Sequence, residues 1–271
     1  MSDRTEPAFT IRTANDAEPE QTLLVAHGIY GRGRNWQSIA RRLVKLRPDW
    51  AVALVDLRGH GDSTELDGPD TFEQCGTDLA GLVESIAPPV RALLGHSFGG
   101  KVALAMLRHE PETLRWAWVV DVSPGPREKS GMPWRVLTLL RDYPGPFESR
   151  QDTVSSLIQE GLSRPVAMWL ATNLESGEDG WRWTIDPDVM EKLLTGYAEA
   201  DLWSVMESPP EGVSIGVVRA ERDSLIPDED VDRMKEAVAV FKTLPGGHWL
   251  HAEQPEPLVE LLAETLPGDG G

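Results

Sequence analysis

The sequence predicts an α/β fold with a mostly parallel central sheet flanked by helices. Short apolar runs alternate with amphipathic stretches along most of the chain, which is the pattern of strands joined by crossover helices. One apolar run, residues 90–94, meets a helical pattern at 101–107 through a glycine-rich turn. The alternation stops near residue 124 and resumes near residue 201, so we expect one sheet that carries an inserted segment.

The individual elements follow from this alternation. We predict strands at Phe9–Arg12, Thr22–Ala26, Trp50–Leu57, Val90–Leu94, Trp116–Val122, Val213–Val218 and Val240–Leu244. Apolar residues at helical spacing predict helices at Trp36–Leu46, Thr71–Ile86, Lys101–Leu107, Asp228–Val238 and Pro257–Leu266. Pro88 and Pro89 end the second of these helices, because proline cannot continue one.

Residues 124–200 carry no strand signal, and glycine and proline punctuate short helical pieces there. We therefore predict a core formed by residues 1–123 and 201–271 and a helical lid formed by 124–200, where ligands meet strand ends. Five tryptophans lie in or next to this lid: Trp134, Trp169, Trp181, Trp183 and Trp203. They could form an apolar wall for a substrate or a small core of the lid itself, and both interpretations stay open.

Composition excludes several classes of partner. The chain has 271 residues, a formal net charge of −18 and a pI near 4.7, which disfavours nucleic acid and anionic membranes. Its single cysteine, Cys75, cannot form an internal disulfide. The first residues lack the apolar core of a signal peptide, and no run is long enough to span a bilayer. We expect a cytoplasmic monomer or homodimer.

The most informative segment is Gly95-His96-Ser97-Phe98-Gly99-Gly100, between a strand and a helix. A G-x-S-x-G sequence in that context is typical of a nucleophile elbow, a strained turn that exposes the serine hydroxyl. The small neighbours let the backbone approach closely. We predict that Ser97 is a catalytic nucleophile.

A serine hydroxyl needs a histidine base, which follows it in the chain in this fold class. His248 comes directly after the last strand, in Pro245-Gly246-Gly247-His248-Trp249, where two glycines permit a close approach. His109 falls in the helix after the elbow, and His251 falls at a helix start. We predict that His248 is the base.

Two aspartates compete to orient that histidine. Asp223 lies in the loop after strand Val213–Val218, and Asp121 closes strand Trp116–Val122. The loop of Asp223 follows the neighbouring strand, from whose end a carboxylate could reach His248. Asp121 is a charge that ends an apolar strand, and a buried carboxylate needs partners. We favour Asp223 as the acid and keep Asp121 as the rival.

Acyl transfer also requires donors for the developing oxyanion. The backbone N–H of Phe98 follows the nucleophile, and the loop His27-Gly28-Ile29-Tyr30-Gly31 follows the first buried strand. We predict Phe98 and Ile29 N–H as these donors. No histidines, cysteines and carboxylates cluster at ligand spacing, so we expect neither a metal nor a cofactor.

Four segments carry a resemblance to the α/β-hydrolase superfamily. They are His27-Gly28, Asp56-Leu57-Arg58-Gly59-His60-Gly61-Asp62-Ser63, the elbow and Gly247-His248. Asn35-Trp36-Gln37-Ser38-Ile39-Ala40, Gly99-Gly100-Lys101 and Val120-Asp121-Val122-Ser123-Pro124 more narrowly resemble esterases and thioesterases of the YbfF and ABHD type. The resemblance implies the α/β-hydrolase fold. Some such proteins take the acid from the position matching Asp121, and here both positions are aspartate.

These features together predict a serine hydrolase that cleaves carboxylic ester or thioester bonds of small acyl substrates. The same triad also supports carbon–carbon bond hydrolysis, lyase or perhydrolase chemistry, because a fold does not fix a reaction. A non-catalytic small-molecule-binding protein is the alternative of another class. Arg32 and Arg34 could meet an anionic leaving group, although a solvated loop is favoured. His60 is interpreted as a turn residue, and His96 as packing beneath the elbow.

Overall fold

The central sheet contains seven strands in the computed structural model, which describes residues 5–268. They are β1 (Phe9–Arg12), β2 (Gln21–Ala26), β3 (Trp50–Val55), β4 (Val90–His96), β5 (Trp116–Val120), β8 (Ser214–Ala220) and β9 (Val240–Leu244), with a separate hairpin of β6 (Leu174–Gly177) and β7 (Gly180–Trp183). The order across the sheet is β1-β3-β2-β4-β5-β8-β9. Strand β1 is antiparallel to β3, and the other neighbours are parallel. The predicted fold class is therefore confirmed.

The helices cover both faces of this sheet. They are α1 (Gln37–Leu46), α2 (Phe72–Ser85), α3 (Phe98–Leu107), α4 (Met132–Asp142), α5 (Arg150–Gln159), α6 (Arg164–Leu170), α7 (Pro187–Glu199), α8 (Trp203–Glu207), α9 (Asp228–Ala237), α10 (Leu250–Glu253) and α11 (Pro255–Thr265). Within residues 5–268, no helix is long and apolar enough to cross a bilayer.

Alternation along the strands divides the core into two apolar layers. In β2, Leu23 and Val25 pack with α1 and α11, whereas Leu24 and Ala26 pack with α2, α3 and α9. Successive side chains of a strand point to opposite faces, so a continuous apolar run such as β2 indicates a sheet covered on both sides. The six parallel strands between these layers all end at the same edge of the sheet.

The segment between β5 and β8 contains α4 to α8 and the β6–β7 hairpin. The prediction of a region without strands is wrong at this hairpin, where Leu174 pairs with Trp183 and Gly177 with Gly180. Each strand has only four residues, and three of the four in β6 are exposed. Such short strands show no alternating pattern, which explains why periodicity did not indicate them.

Lys101 in α3 holds both ends of this inserted segment. Its side chain is fully buried, and Nζ donates to the carbonyl oxygens of Gly125 at 2.6 Å, Tyr197 at 2.9 Å and Ala200 at 2.9 Å. Gly125 lies just after β5, and Ala200 lies at the end of α7, ahead of α8 and β8. The helix that follows Ser97 is thus attached to both ends of the stretch 125–200.

Candidate active site

Ser97 occupies the turn between β4 and α3, with φ 54° and ψ −117°. This conformation is uncommon for a residue with a side chain, because Cβ crowds the backbone at positive φ. The Ser97 N–H donates to the Val120 carbonyl of β5 at 2.9 Å, which fixes the turn to the neighbouring strand. The local pattern therefore produces the elbow geometry that the sequence predicted.

Two glycines make this turn sterically possible. A Cβ on Gly95 would lie 2.1 Å from the Gly99 carbonyl oxygen, and a Cβ on Gly99 would lie 2.5 Å from the Ala26 carbonyl oxygen. Both distances are far below van der Waals contact, and the obstructing atoms belong to the backbone. Only glycine fits at these positions, and the pattern G-x-S-x-G records that requirement.

His248 lies in the loop between β9 and α10, beside the elbow. Gly246 adopts φ +118°, and the Gly247 N–H donates to Glu253 Oε2 at 2.9 Å. The His248 carbonyl accepts a hydrogen bond from His96 Nε2 at 2.8 Å, and the two rings lie 4.7 Å apart. The loop is thus fixed from the elbow strand as well as from the following helix.

Asp121 binds His248, with 2.7 Å between Asp121 Oδ2 and His248 Nδ1. The carboxylate is fully buried, and the Asp121 backbone is at φ +53°. It also accepts hydrogen bonds from the N–H groups of Ala220 at 2.8 Å and Leu225 at 3.2 Å, and from the Ser224 hydroxyl. Burial on its own would raise the pKa of the Asp121 carboxyl, but the hydrogen bond and charge of His248 and the other donors outweigh it and lower that pKa.

The choice of Asp223 as the partner of His248 is wrong. The Asp223 side chain is exposed, and its backbone is at φ +52°. The next two residues of the same loop, Ser224 and Leu225, donate to Asp121. The loop after β8 therefore supplies donors to a carboxylate from β5, and Asp223 points away to solvent.

The loop after β2, residues 27–31, lies against the serine and is here called the β2 turn. A Cβ placed on Gly28 would lie 3.5 Å from the Ser97 Cβ. The turn is closed by the Gly31 N–H, which donates to the Gly28 carbonyl at 2.9 Å, and Tyr30 adopts φ +60°. The N–H groups of Ile29 and Phe98 have no hydrogen-bond acceptor among residues 5–268. Two unused donors thus belong to the elbow and to the turn beside it.

His60 supports the β2 turn, a role that the sequence interpretation missed. Its Nε2 accepts the Tyr30 N–H at 3.0 Å, and its Nδ1 donates to the Arg58 carbonyl at 2.9 Å. His27 contributes in the same region, because its Nδ1 donates to the Gly28 carbonyl at 2.8 Å and its Nε2 accepts the Leu57 N–H at 3.1 Å. The glycines on both sides of His60 were a usable signal of a tight turn, since Gly59 adopts φ +75° and Gly61 adopts φ +52°.

Four histidines around the site form what we call the histidine cluster: His27, His60, His96 and His251. Loss of solvent is the main cause that lowers the pKa of each, to about 4 for His27, about 3 for His60 and about 4 for His251. The pKa of His96 falls well below its usual value for the same reason. The cluster is therefore uncharged at neutral pH. His251 stacks on Trp36 with 4.5 Å between ring centroids.

A cavity of about 490 Å³ has Ser97 and His248 in its wall. The inserted segment contributes apolar and aromatic side chains to that wall: Met132, Trp134, Val136, Trp169, Leu194 and Tyr197. Trp183 and Trp203 contact other parts of the protein instead. Trp183 Nε1 donates to the Tyr143 carbonyl at 2.8 Å, and Arg233 Cζ lies 3.8 Å from the centroid of the Trp203 ring. The tryptophans thus divide between the two expected uses. The cavity size is that of a small-molecule site.

Arg32 and Arg34 attach the inserted segment to the β2 turn instead of facing the cavity. Arg32 is only 5% exposed, and it donates through Nε to Asn173 at 3.0 Å and through Nη2 to Thr184 at 2.6 Å. Asn173 in turn donates to the Tyr30 carbonyl at 2.7 Å. Arg34 donates to the carbonyl of Thr172. The structure therefore gives Arg32 a buried structural contact, which neither interpretation of the sequence anticipated.

Comparison with known proteins agrees with this architecture. The model of the alpha/beta hydrolase family matches residues 23–261. The chain is 26% identical to the sn-1-specific diacylglycerol lipase ABHD11 of Xenopus laevis over 254 residues, which cover 90% of this chain and 79% of that protein. It is 22% identical to esterase YbfF of Escherichia coli over 261 residues, covering 94% and 96% respectively.

A solved marine microorganism esterase superposes with a TM-score of 0.83 at 28% identity, covering 97% of this chain and 100% of that one. The relatives are named esterases and lipases, so this protein is a hydrolase of the esterase and lipase type. With the family model matching most of its length, the chain belongs to the alpha/beta hydrolase family.

Proposed function

We propose that this enzyme cleaves carboxylic ester or thioester bonds of small acyl substrates through a covalent acyl-enzyme. Ser97 is the nucleophile, His248 is the general base, and Asp121 replaces Asp223 as the triad acid. The observation that carries the proposal is the hydrogen bond of 2.7 Å between His248 and the buried Asp121, beside a serine in the elbow conformation.

In the first half of the reaction, the Ser97 hydroxyl attacks the acyl carbon while His248 Nε2 takes its proton. The negative charge of Asp121 stabilises the imidazolium and keeps the other proton on Nδ1. His248 then gives its proton to the departing alcohol or thiol. In the second half, His248 activates water, which attacks the acyl-enzyme and releases the carboxylic acid and Ser97.

The N–H groups of Ile29 and Phe98 stabilise the oxyanion of each tetrahedral intermediate. Their lack of any acceptor among residues 5–268 supports this role, because a buried donor left unsatisfied is costly. Tyr30, whose N–H binds His60 and whose carbonyl binds Asn173, holds the turn that carries Ile29. The donors are therefore fixed before substrate arrives, which is the condition for effective electrostatic catalysis.

We further propose that residues 124–200 act as a lid over a core of residues 1–123 and 201–271. The cavity wall supports this division, because the inserted segment supplies apolar side chains and the sheet edge supplies Ser97 and His248. Such a wall suits the apolar part of an acyl ester. The glycerol esters cleaved by the diacylglycerol lipase relatives are accordingly reasonable test substrates.

The direct test is hydrolysis of 4-nitrophenyl butyrate by the wild type and by Ser97→Ala. We expect the variant to lose at least about 10³-fold in kcat, because removing a triad member leaves only binding and the oxyanion donors. Ser130→Ala is the matched control, since Ser130 lines the same cavity outside the elbow. A fluorophosphonate probe should label the wild type at Ser97 and leave Ser97→Ala unlabelled.

Equal turnover by Ser97→Ala and wild type would refute the assignment. Absence of both turnover and labelling in the wild type would instead favour a non-catalytic binding protein. A substrate panel that contains esters, thioesters and a carbon–carbon-cleaved diketone of equal acyl length would then compare the remaining reactions of the same triad.

A further inference from the structure

Arg127 lies on the loop after β5 and lines the cavity that contains Ser97. The residue is half-buried, and its Nη2 atom is shielded from solvent without any hydrogen-bond partner. No carboxylate lies within ion-pair distance of it among residues 5–268. A half-buried guanidinium without an ion-pair partner is costly, and Arg127 lines the cavity, where a bound anion could pair with it.

The two fully buried arginines among residues 5–268, Arg58 and Arg32, are both paired. Arg58 is 1% exposed and binds Asp78 through Nε at 2.8 Å and through Nη2 at 3.0 Å. Arg32 binds Asn173 and Thr184. Where an arginine serves the fold, the sequence thus provides acceptors for it. Arg127 differs in that it lines the cavity and forms no ion pair with any residue between 5 and 268.

A second cation, the ammonium of Lys101, lies close to Arg127. Lys101 lies close enough that the charge of Arg127 adds to burial in lowering the Lys101 pKa to about 8, although Asp201 opposes this. The Lys101 ammonium is already bound by three carbonyl oxygens. Tyr197 also lines the cavity near Arg127, and it offers a phenol O–H as a further donor.

One carboxylate, that of Glu128, lies in the cavity wall in the part of the chain described here. The Glu128 side chain is exposed, so water screens its charge. The Arg127 guanidinium is half-buried, so water screens its charge less than that of Glu128. The balance favours an anion beside Arg127 even though the protein carries a net charge of −18.

We propose that Arg127 binds a carboxylate of the substrate, so that the preferred substrate is an ester or thioester with a second, ionised carboxyl group. This inference rests on the proposed function. A guanidinium binds a carboxylate through two parallel N–H···O bonds, which suits a group of fixed position and orientation. The carboxylate belongs to the acyl part or to the alcohol part, and the two sources are distinguished by experiment.

The experiment compares two pairs of esters. For the acyl part, the pair is mono-4-nitrophenyl adipate and its methyl ester. For the alcohol part, it is 4-butyryloxybenzoate and its methyl ester. The readout for each pair is kcat/KM of the carboxylate divided by kcat/KM of the methyl ester. We expect this ratio to fall at least tenfold in Arg127→Gln for one pair, mainly through KM, since a charged hydrogen bond is lost.

Arg127→Lys should recover part of the ratio, because it restores the charge but not the paired geometry. Lys129→Gln is the matched control. It removes the same charge two residues away, at a side chain that binds Glu199 at 2.7 Å and lies outside the cavity wall. The control ratio should stay within about twofold of the wild type, whereas a purely long-range charge effect would lower it equally.

A readout on the wild type alone protects the test against a variant that fails to fold. Adipate should inhibit hydrolysis of 4-nitrophenyl butyrate competitively, and 1,6-hexanediol, the uncharged chain of equal length, should inhibit at least tenfold less. An unchanged ratio in Arg127→Gln for both pairs, or equal inhibition by the two compounds, would overturn the inference. If the wild type neither turns over neutral esters nor labels at Ser97, it is the proposed function that fails.

Discussion

Replacing Asp121 with asparagine exchanges one carboxylate oxygen for an NH₂ group inside a ring of donors. Oδ1 accepts from Ala220 and Ser224, while Oδ2 accepts from Leu225 and His248. An amide leaves at least one of these positions with two donors facing each other. If the NH₂ faces His248, Nδ1 must become the acceptor, and the ring proton moves to Nε2. His248 then cannot take the proton of Ser97.

The size of the effect follows from the lost charge as well as from the tautomer. Two unit charges about 4 Å apart at an effective dielectric constant of about 20 interact by about 4 kcal/mol. The N–O distance of 2.7 Å and the full burial of Asp121 place the pair in this range. Because about 1.4 kcal/mol corresponds to tenfold in rate, the charge contributes about 10³-fold. We therefore expect Asp121→Asn to lose about 10³- to 10⁴-fold in kcat/KM.

The assay is 4-nitrophenyl butyrate hydrolysis at pH 8, with the thermal unfolding midpoint measured in parallel to establish that the variant folds. Asp223→Asn is the matched control, because it makes the same chemical change at an exposed carboxylate of the adjoining loop. We expect that control to retain activity within about twofold, as is usual for an exposed site. A folded Asp121→Asn enzyme with less than a tenfold loss, or an equal loss in Asp223→Asn, would refute the reasoning.

Three further perturbations follow from the described contacts. His60→Ala should lower kcat at least tenfold, because the β2 turn loses the acceptor of its Tyr30 N–H. His109→Ala is the control at an exposed site and should leave kcat unchanged. Equal kcat values for the two variants would contradict this role of His60. Gly99→Ala should destabilise the fold by about 1–3 kcal/mol in urea unfolding, whereas Gly81→Ala, with nothing within 4 Å of the added Cβ, should stabilise helix α2 by about 0.5–1 kcal/mol. The histidine cluster has pKa values lowered in the folded state, so the unfolded state takes up protons first as pH falls below about 6.5. The free energy of unfolding from urea titrations should therefore fall between pH 6.5 and 5, by at most about 1.4 kcal/mol per pH unit for each histidine. A flat profile would exclude that linkage.

Local patterns were sufficient to predict the sheet and the turns that carry Ser97 and His248. Each of these features is encoded within about ten consecutive residues: an apolar run, a glycine-rich turn and a helical repeat. Backbone sterics explain this success, because the glycines beside Ser97 admit no Cβ. The roles of Ser97 and His248 in catalysis stay predictions until the variants are measured.

The partner of His248 could not be predicted from local pattern. Strands β5 and β8 are neighbours in the sheet, so Asp121 and Asp223 both follow strands that end at the same edge. What distinguishes them is the direction of each side chain and the supply of donors from Ser224 and Leu225, which depend on the folded loop. The support that His60 gives to Tyr30 is similarly a contact between two loops far apart in sequence.

The three carbonyl oxygens bound by Lys101 have a consequence for how this enzyme can be re-engineered. One ammonium binds the chain at Gly125, just after β5, and at Ala200, at the end of α7. Lys101 therefore holds the two ends of the intervening stretch close to each other. Another segment that keeps these two ends could replace it without a new cost of closing the loop. Because Lys101 lies one turn after Ser97 on the same helix, any grafted segment would be anchored in fixed register with the nucleophile.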